Sequence, residues 1–136
     1  MRMLGGLLKG LPLLIGSILC SFPSSAFDLS GIWATDPQLC GKMFERRRSE
    51  VAFTQLSDLY GSGFVIDGTR IKGKMARCTI QSQKRDGEIL QLEAACATEI
   101  VRSDVQFGLR IVNDKSISRR FPGMSRMEVT YHRCTL

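Results

Sequence analysis

The chain is poor in the residues from which active sites are usually built. Its 136 residues contain one histidine, His132. A multi-histidine metal site is therefore excluded, and a hydrolytic nucleophile would have to find its base at that single imidazole. Beside Arg133 near the end of the chain, His132 reads as a solvated or edge-strand residue. No CxxC pair occurs, which removes the usual spacing of zinc sites and of thioredoxin-like redox motifs. The apolar run Gly10 to Leu19 has ten residues, too few to span a bilayer. No dense stretch of Lys and Arg interleaves with aromatic residues, so a nucleic-acid footprint is missing. Internal repeats and low-complexity segments are absent. No cofactor, metal or catalytic residue is expected.

What is present begins with an export signal. Arg2 and Lys9 make a positive start, Gly10 to Leu19 is the apolar stretch, and Ser24-Ser25-Ala26 offers the small residues a signal peptidase reads. Cleavage is expected after Ala26, which leaves no segment for stable membrane insertion. Cys20 follows Leu19 instead of the small residue that lipid attachment normally requires, so it is expected to be discarded with the signal. The remainder, residues 27–136, has the size of one domain. Its 17 Lys and Arg outweigh 13 Asp and Glu, for a mildly basic net charge of +4. A chain this short buries only about two thirds of its unfolded surface. Covalent staples would support so modest a core, and the periplasm or cell exterior permits them.

Four cysteines remain, Cys40, Cys78, Cys96 and Cys134, and four allow three pairings. Residues 78–84 and 89–96 flank the turn-forming Arg85-Asp86-Gly87-Glu88, a hairpin pattern. In the simplest register Cys78 faces Cys96, Ile80 faces Ala94 and Ser82 faces Leu92. That register also places Leu90, Leu92, Ala94 and Cys96 on one face, the alternation of a half-buried strand. Cys78–Cys96 is thereby favoured, and Cys40–Cys134 would tie the start of the domain to its end. Closing so long a loop restricts the unfolded chain by about 4–5 kcal/mol in the entropy model.

The rest of the chain reads as short strands separated by turn chemistry. Strands are expected at 30–34, 50–56, 63–67, 69–75, 78–83, 88–97, 104–112, 116–121 and 127–134. Asp67-Gly68 suggests a type I′ hairpin turn. Asp36 as cap with Pro37 at the first helical position predicts one short helix running to Met43. This pattern fits an all-β sandwich or an antiparallel up-and-down barrel of about eight strands. A Cys40–Cys134 bridge favours the barrel, because closure makes first and last strands neighbours and removes exposed edges.

Gly31-Ile32-Trp33 on the first strand and Arg133 on the last resemble the calycins, which include lipocalins, avidins and small periplasmic barrel inhibitors of metalloproteases. The resemblance implies that Trp33 closes one end of the barrel beside Gly31 and that Arg133 packs across its ring, a contact of about 1–2 kcal/mol when desolvated. Trp33 is the single tryptophan, so an avidin-type biotin cage is not implied. Only four residues from Phe27 precede Gly31, too few for the N-terminal trunk of the protease inhibitors. Gly61-Ser62-Gly63 is similar to a loop of periplasmic lysozyme inhibitors, although Ile66 stands where those carry an aromatic, and it reads first as a tight corner. The opening GIWATD and the ending YHRC also resemble a small secreted bacterial family, a likeness that implies no activity.

The remaining candidates are surface features. Arg46, Arg47 and Arg48 form the densest charge cluster and Arg119-Arg120 a second. Guanidinium forks suit phosphate and carboxylate, but Glu45 and Glu50 also allow a simple solvated loop. Phe121-Pro122-Gly123-Met124 is either an exposed tip or a turn that tucks Phe121 into the barrel mouth. Phe53, Phe64, Leu92, Phe107 and Leu109 are expected to point inward, where they either fill the barrel or line a cavity. The expectation is an exported, non-enzymatic binding protein for a small apolar or anionic envelope ligand. The alternative is a protein-interaction or enzyme-inhibitor module acting through loops at one end. The partner is then a small ligand or an envelope protein, with no nucleic acid, and the oligomeric state stays open.

Overall fold

The computed structural model describes residues 5–6, 10, 12–13, 15–20, 27–121 and 123–136, and among these residues are ten antiparallel strands, one short α-helix and two 3₁₀ turns. The strands are β1 (Gly31–Ala34), β2 (Phe44–Arg47), β3 (Glu50–Phe53), β4 (Gly63–Asp67), β5 (Arg70–Lys72), β6 (Arg77–Asp86), β7 (Ile89–Ala97), β8 (Arg102–Asn113), β9 (Ser116–Phe121) and β10 (Met124–Arg133). Eight of them close into a barrel in the order β1-β10-β9-β8-β7-β6-β5-β4, with β4 pairing back onto β1. The chain leaves this meander once, between β1 and β4, to form helix α1 (Cys40–Met43) and the separate hairpin β2–β3. Asp36 caps the turn that leads into α1 by accepting from the Gln38 backbone N–H, and Pro37 opens it.

Alternation of side chains builds the interior. Leu90, Leu92 and Ala94 of β7 are buried, as are Leu109 of β8, Ile117 of β9 and Tyr131 of β10. Period-2 burial on the long strands is what one wet and one dry sheet face require. A smaller second core lies outside the barrel wall. There Met43 and Phe44 of the excursion bury the outward-facing Ile32 of β1, with Val65 of β4 and Phe53 packed around them.

Several local expectations are corrected. Segment 50–56 ends as a strand at Phe53, and a 3₁₀ turn follows at Ser57–Tyr60. Phe53 does not enter the barrel; it packs on Phe44 at 4.9 Å between ring centroids, because its partner strand is β2. Arg46 and Arg47 lie in that strand and not in a loop, while Arg48 occupies the hairpin turn at φ 60°. The strand expected at 69–75 shrinks to β5, and Asn113, Arg102 and Met124 extend the later ones. The β4–β5 turn residues are Gly68 and Thr69, with positive φ only at Gly68, the pattern of a type II′ turn with glycine first.

The β6–β7 register holds at Cys78 opposite Cys96 and Ile80 opposite Ala94, then slips so that Ser82 faces Glu93 and not Leu92. Gln81 is the extra residue. Because β5 pairs with only the first part of β6, the outer half of β6 is a free edge, where bulges concentrate. Both disulfides form as the spacing favoured, Cys78–Cys96 within the hairpin and Cys40–Cys134 from α1 to the end of β10.

Candidate functional site

The two ends of the barrel differ. At one end Trp33 is fully buried, and its indole N–H donates to the Leu29 carbonyl at 2.9 Å. Trp33 and Arg133 are register partners on β1 and β10, and the guanidinium carbon lies 4.4 Å from the indole ring. Arg133 donates through Nη1 to Ser30 O at 2.6 Å, through Nη2 to Asp28 O at 2.8 Å and through Nε to Asp114 O at 3.1 Å. Gly31 completes this lid with φ 150°, and a Cβ there would stand 2.7 Å from Arg133 Nη1. No larger side chain fits while the guanidinium keeps its place.

The opposite end is open. A cavity of about 340 Å³ enters between the β5–β6 loop and the β7–β8 loop and is walled by Leu92, Val105, Phe107 and the Cys78–Cys96 bridge. Its volume lies in the lower range of small-molecule sites. Phe64, Phe107 and Leu109 line it, as sequence alternation places them, so the interior is filled at the Trp33 end and hollow at the other.

Arg119 is the charged residue in the lining. It alternates with Ile117 and Phe121 on β9 and pairs with buried Leu109, which puts it inside the barrel. Its guanidinium carbon sits 4.8 Å from the Phe107 ring centroid and 4.7 Å from that of Phe121. Among the described residues, no carboxylate lies within 4.0 Å of it. Phe121 is thus half-buried against Arg119, and Pro122 lies outside the described residues.

The other candidate arginines are scattered. Arg120 faces outward with Arg110 and Ser118 around Glu128, whose carboxylate accepts from Arg110 Nη2 at 2.9 Å and from Ser118 Oγ at 3.0 Å. The Arg110 hydrogen bond, followed by that from Ser118, holds the Glu128 carboxyl below the ordinary glutamate range. Arg47 pairs with Glu45 at 2.6 Å on an exposed strand. Arg46 borders a groove on the outer wall. His132 stands next to Ser116 Oγ at 3.1 Å from its Nδ1.

No family model, curated protein or solved structure matches this chain.

Arg119 and Arg120 form one charge cluster in the sequence, but strand alternation separates them to opposite faces. Ile117-x-Arg119-x-Phe121 was the available signal. Val105 shares the alternation of Phe107 and Leu109, whereas the loop residues at the mouth carried no signal, because only closure of the barrel brings them together.

Proposed function

We propose that the protein binds a small amphiphile in the barrel cavity, with an acidic headgroup on Arg119 and an apolar body against Leu92, Val105 and Phe107. One observation carries this reading: a guanidinium without a carboxylate partner in a cavity whose walls are otherwise mostly apolar. Desolvating a charge is costly unless it is paired, and a ligand carboxylate would supply the pairing. At about 30 Å³ per heavy atom, the liquid-water figure, the cavity takes roughly a dozen non-hydrogen atoms. At roughly 0.5 kcal/mol per atom this corresponds to dissociation constants of about 10–100 μM.

The reading extends to its setting. The protein is exported after removal of residues 1–26, acts in the periplasm or outside the cell, and binds without catalysis. The barrel with its Trp33–Arg133 lid is of calycin type. Supporting export, Leu13, Ile15, Ile18 and Leu19 stand 87–91% exposed, which suits a segment that is no part of the folded core. Two disulfides suit an oxidising compartment.

Titration of the oxidised protein with decanoate and decanol tests the cavity. Arg119→Gln is expected to weaken decanoate by about 10–100-fold, the loss of a charge-assisted hydrogen bond, and to leave decanol within threefold. Val105→Trp should abolish both by filling the cavity. Equal decanoate affinity in wild type and Arg119→Gln overturns the assignment.

A second reading, docking of a protein partner on the open end, is favoured by exposed apolar side chains on four segments there. These are Leu59, Met75, Ile100, Val101 and Met124, with Ile100 91% exposed. Patches of this kind mark interaction surfaces. Affinity capture from envelope extract is expected to enrich one partner that Ile100→Asp with Met75→Asp loses; unchanged recovery removes this reading.

A further inference from the structure

The outer wall of the barrel carries a feature unrelated to the cavity. On β5 and β6, Lys72 stands directly opposite Arg77, and Arg70 stands opposite Thr79 two positions along the same face. Like charges directly opposed across an antiparallel pair work against folding. The hairpin β2–β3 lies beside this wall, with Arg46 and Val51 on the same hairpin face as Phe44 and Phe53, the face that packs toward the barrel. Lys72 Nζ donates to the Val51 carbonyl at 3.4 Å, which joins the hairpin edge to the wall.

Between hairpin and wall runs a groove of about 930 Å³ bordered by Arg46, Arg70, Lys72 and Arg77 and, where it meets the lid, by Arg133, with Glu50 and Asp67 also on its rim. Among the described residues, none of the five cations has a carboxylate within 4.0 Å. The two acids stay unpaired with them, so the positive field in the groove is not cancelled by contact. No aromatic side chain borders it, which leaves nothing for a nucleobase to stack on.

We propose that this groove is a binding site for a phosphate ester, with Lys72 and Arg77 sharing the phosphoryl group and Arg46 and Arg70 flanking it. A dianionic phosphoryl group matches two cations held at one register position, and guanidinium forks meet its oxygens bidentately. Glu50 and Asp67 on the rim disfavour a long polyanion and select a compact ligand. The opposed cations are then a cost in the empty protein that the ligand offsets.

The test measures pyrophosphate binding to the oxidised protein by calorimetry at constant ionic strength, with sodium chloride as the screening control. Wild type is expected to bind one pyrophosphate per chain, and the double variant Lys72→Thr/Arg77→Thr at least tenfold more weakly. Without anion at low salt, the double variant is expected to melt above wild type because the repulsion is gone. That rise separates a binding role from a merely structural one. Co-sedimentation with phosphatidate vesicles that pyrophosphate reverses names a lipid headgroup as the source; no co-sedimentation beside pyrophosphate binding names a soluble ester. The proposal is overturned by absence of saturable pyrophosphate binding, by equal binding in the double variant, by vesicle binding that the double variant retains, or by a double variant that melts below wild type.

Discussion

Arg133 donates to carbonyl groups of Asp28, Ser30 and Asp114 while it covers the Trp33 ring, so one side chain ties the N-terminal approach, a turn and the last strand together. Replacing it with alanine removes the cation–π contact and leaves those carbonyls short of a donor. Arg133→Ala is expected to lower unfolding free energy by roughly 2–4 kcal/mol. Arg133→Lys should restore less than half of the loss, because an ammonium cannot span three acceptors as a planar fork does. Urea unfolding followed by Trp33 fluorescence measures both. At this scale Gly31, Trp33 and Arg133 suggested the lid only through a resemblance, and no spacing or periodicity in the chain pairs them. Arg119 was legible only through the Ile117-x-Arg119-x-Phe121 face, a weak signal because arginine is rarely buried, and only closure shows its neighbour Phe107.

Strands β8, β9 and β10 are cross-linked on their outer face by Glu128, which meets Arg110 and Ser118 and lies 3.8 Å from Arg120. Its carboxyl is held below its ordinary value in the fold, so the folded state prefers the charged form. The stabilisation is present above the unperturbed glutamate value of about 4.3 and is lost as pH falls from there through the lower folded value. Glu128→Gln is expected to flatten the melting temperature between about pH 5 and pH 3 relative to wild type, with the largest deficit on the neutral side. Thermal melts across that range at low salt check the sign. Strand positions were legible from alternation and turn residues. The β6 bulge was not, because it depends on how far β5 extends along β6, and β2 was not, because Phe44-Glu45-Arg46-Arg47 carries a single apolar residue and so no alternation.

The two bridges act on the whole molecule to different extents. Cys40–Cys134 spans 94 residues of sequence and Cys78–Cys96 spans 18. The loop-entropy model assigns them about 4.7 and 3 kcal/mol. Cys40→Ala/Cys134→Ala is therefore expected to be the more destabilising pair, and Cys78→Ala/Cys96→Ala to disturb the cavity wall as well. Denaturant midpoints rank the pairs, and intact mass before and after reduction counts the bridges and shows whether residues 1–26 are gone. An equal loss from both pairs would mean that native packing, and not loop length, sets their contribution.

By itself the sequence determined an all-β chain of short strands and turns, and favoured a closed barrel with the pairs Cys78–Cys96 and Cys40–Cys134, because period-2 alternation, turn glycines and cysteine spacing are local signals. Tertiary structure alone decided that the barrel is hollow at one end, that Arg119 points into it and that five basic residues share an outer groove. Those depend on the volume left after packing and on which strands closure makes adjacent, quantities that exist only once the distant segments have met.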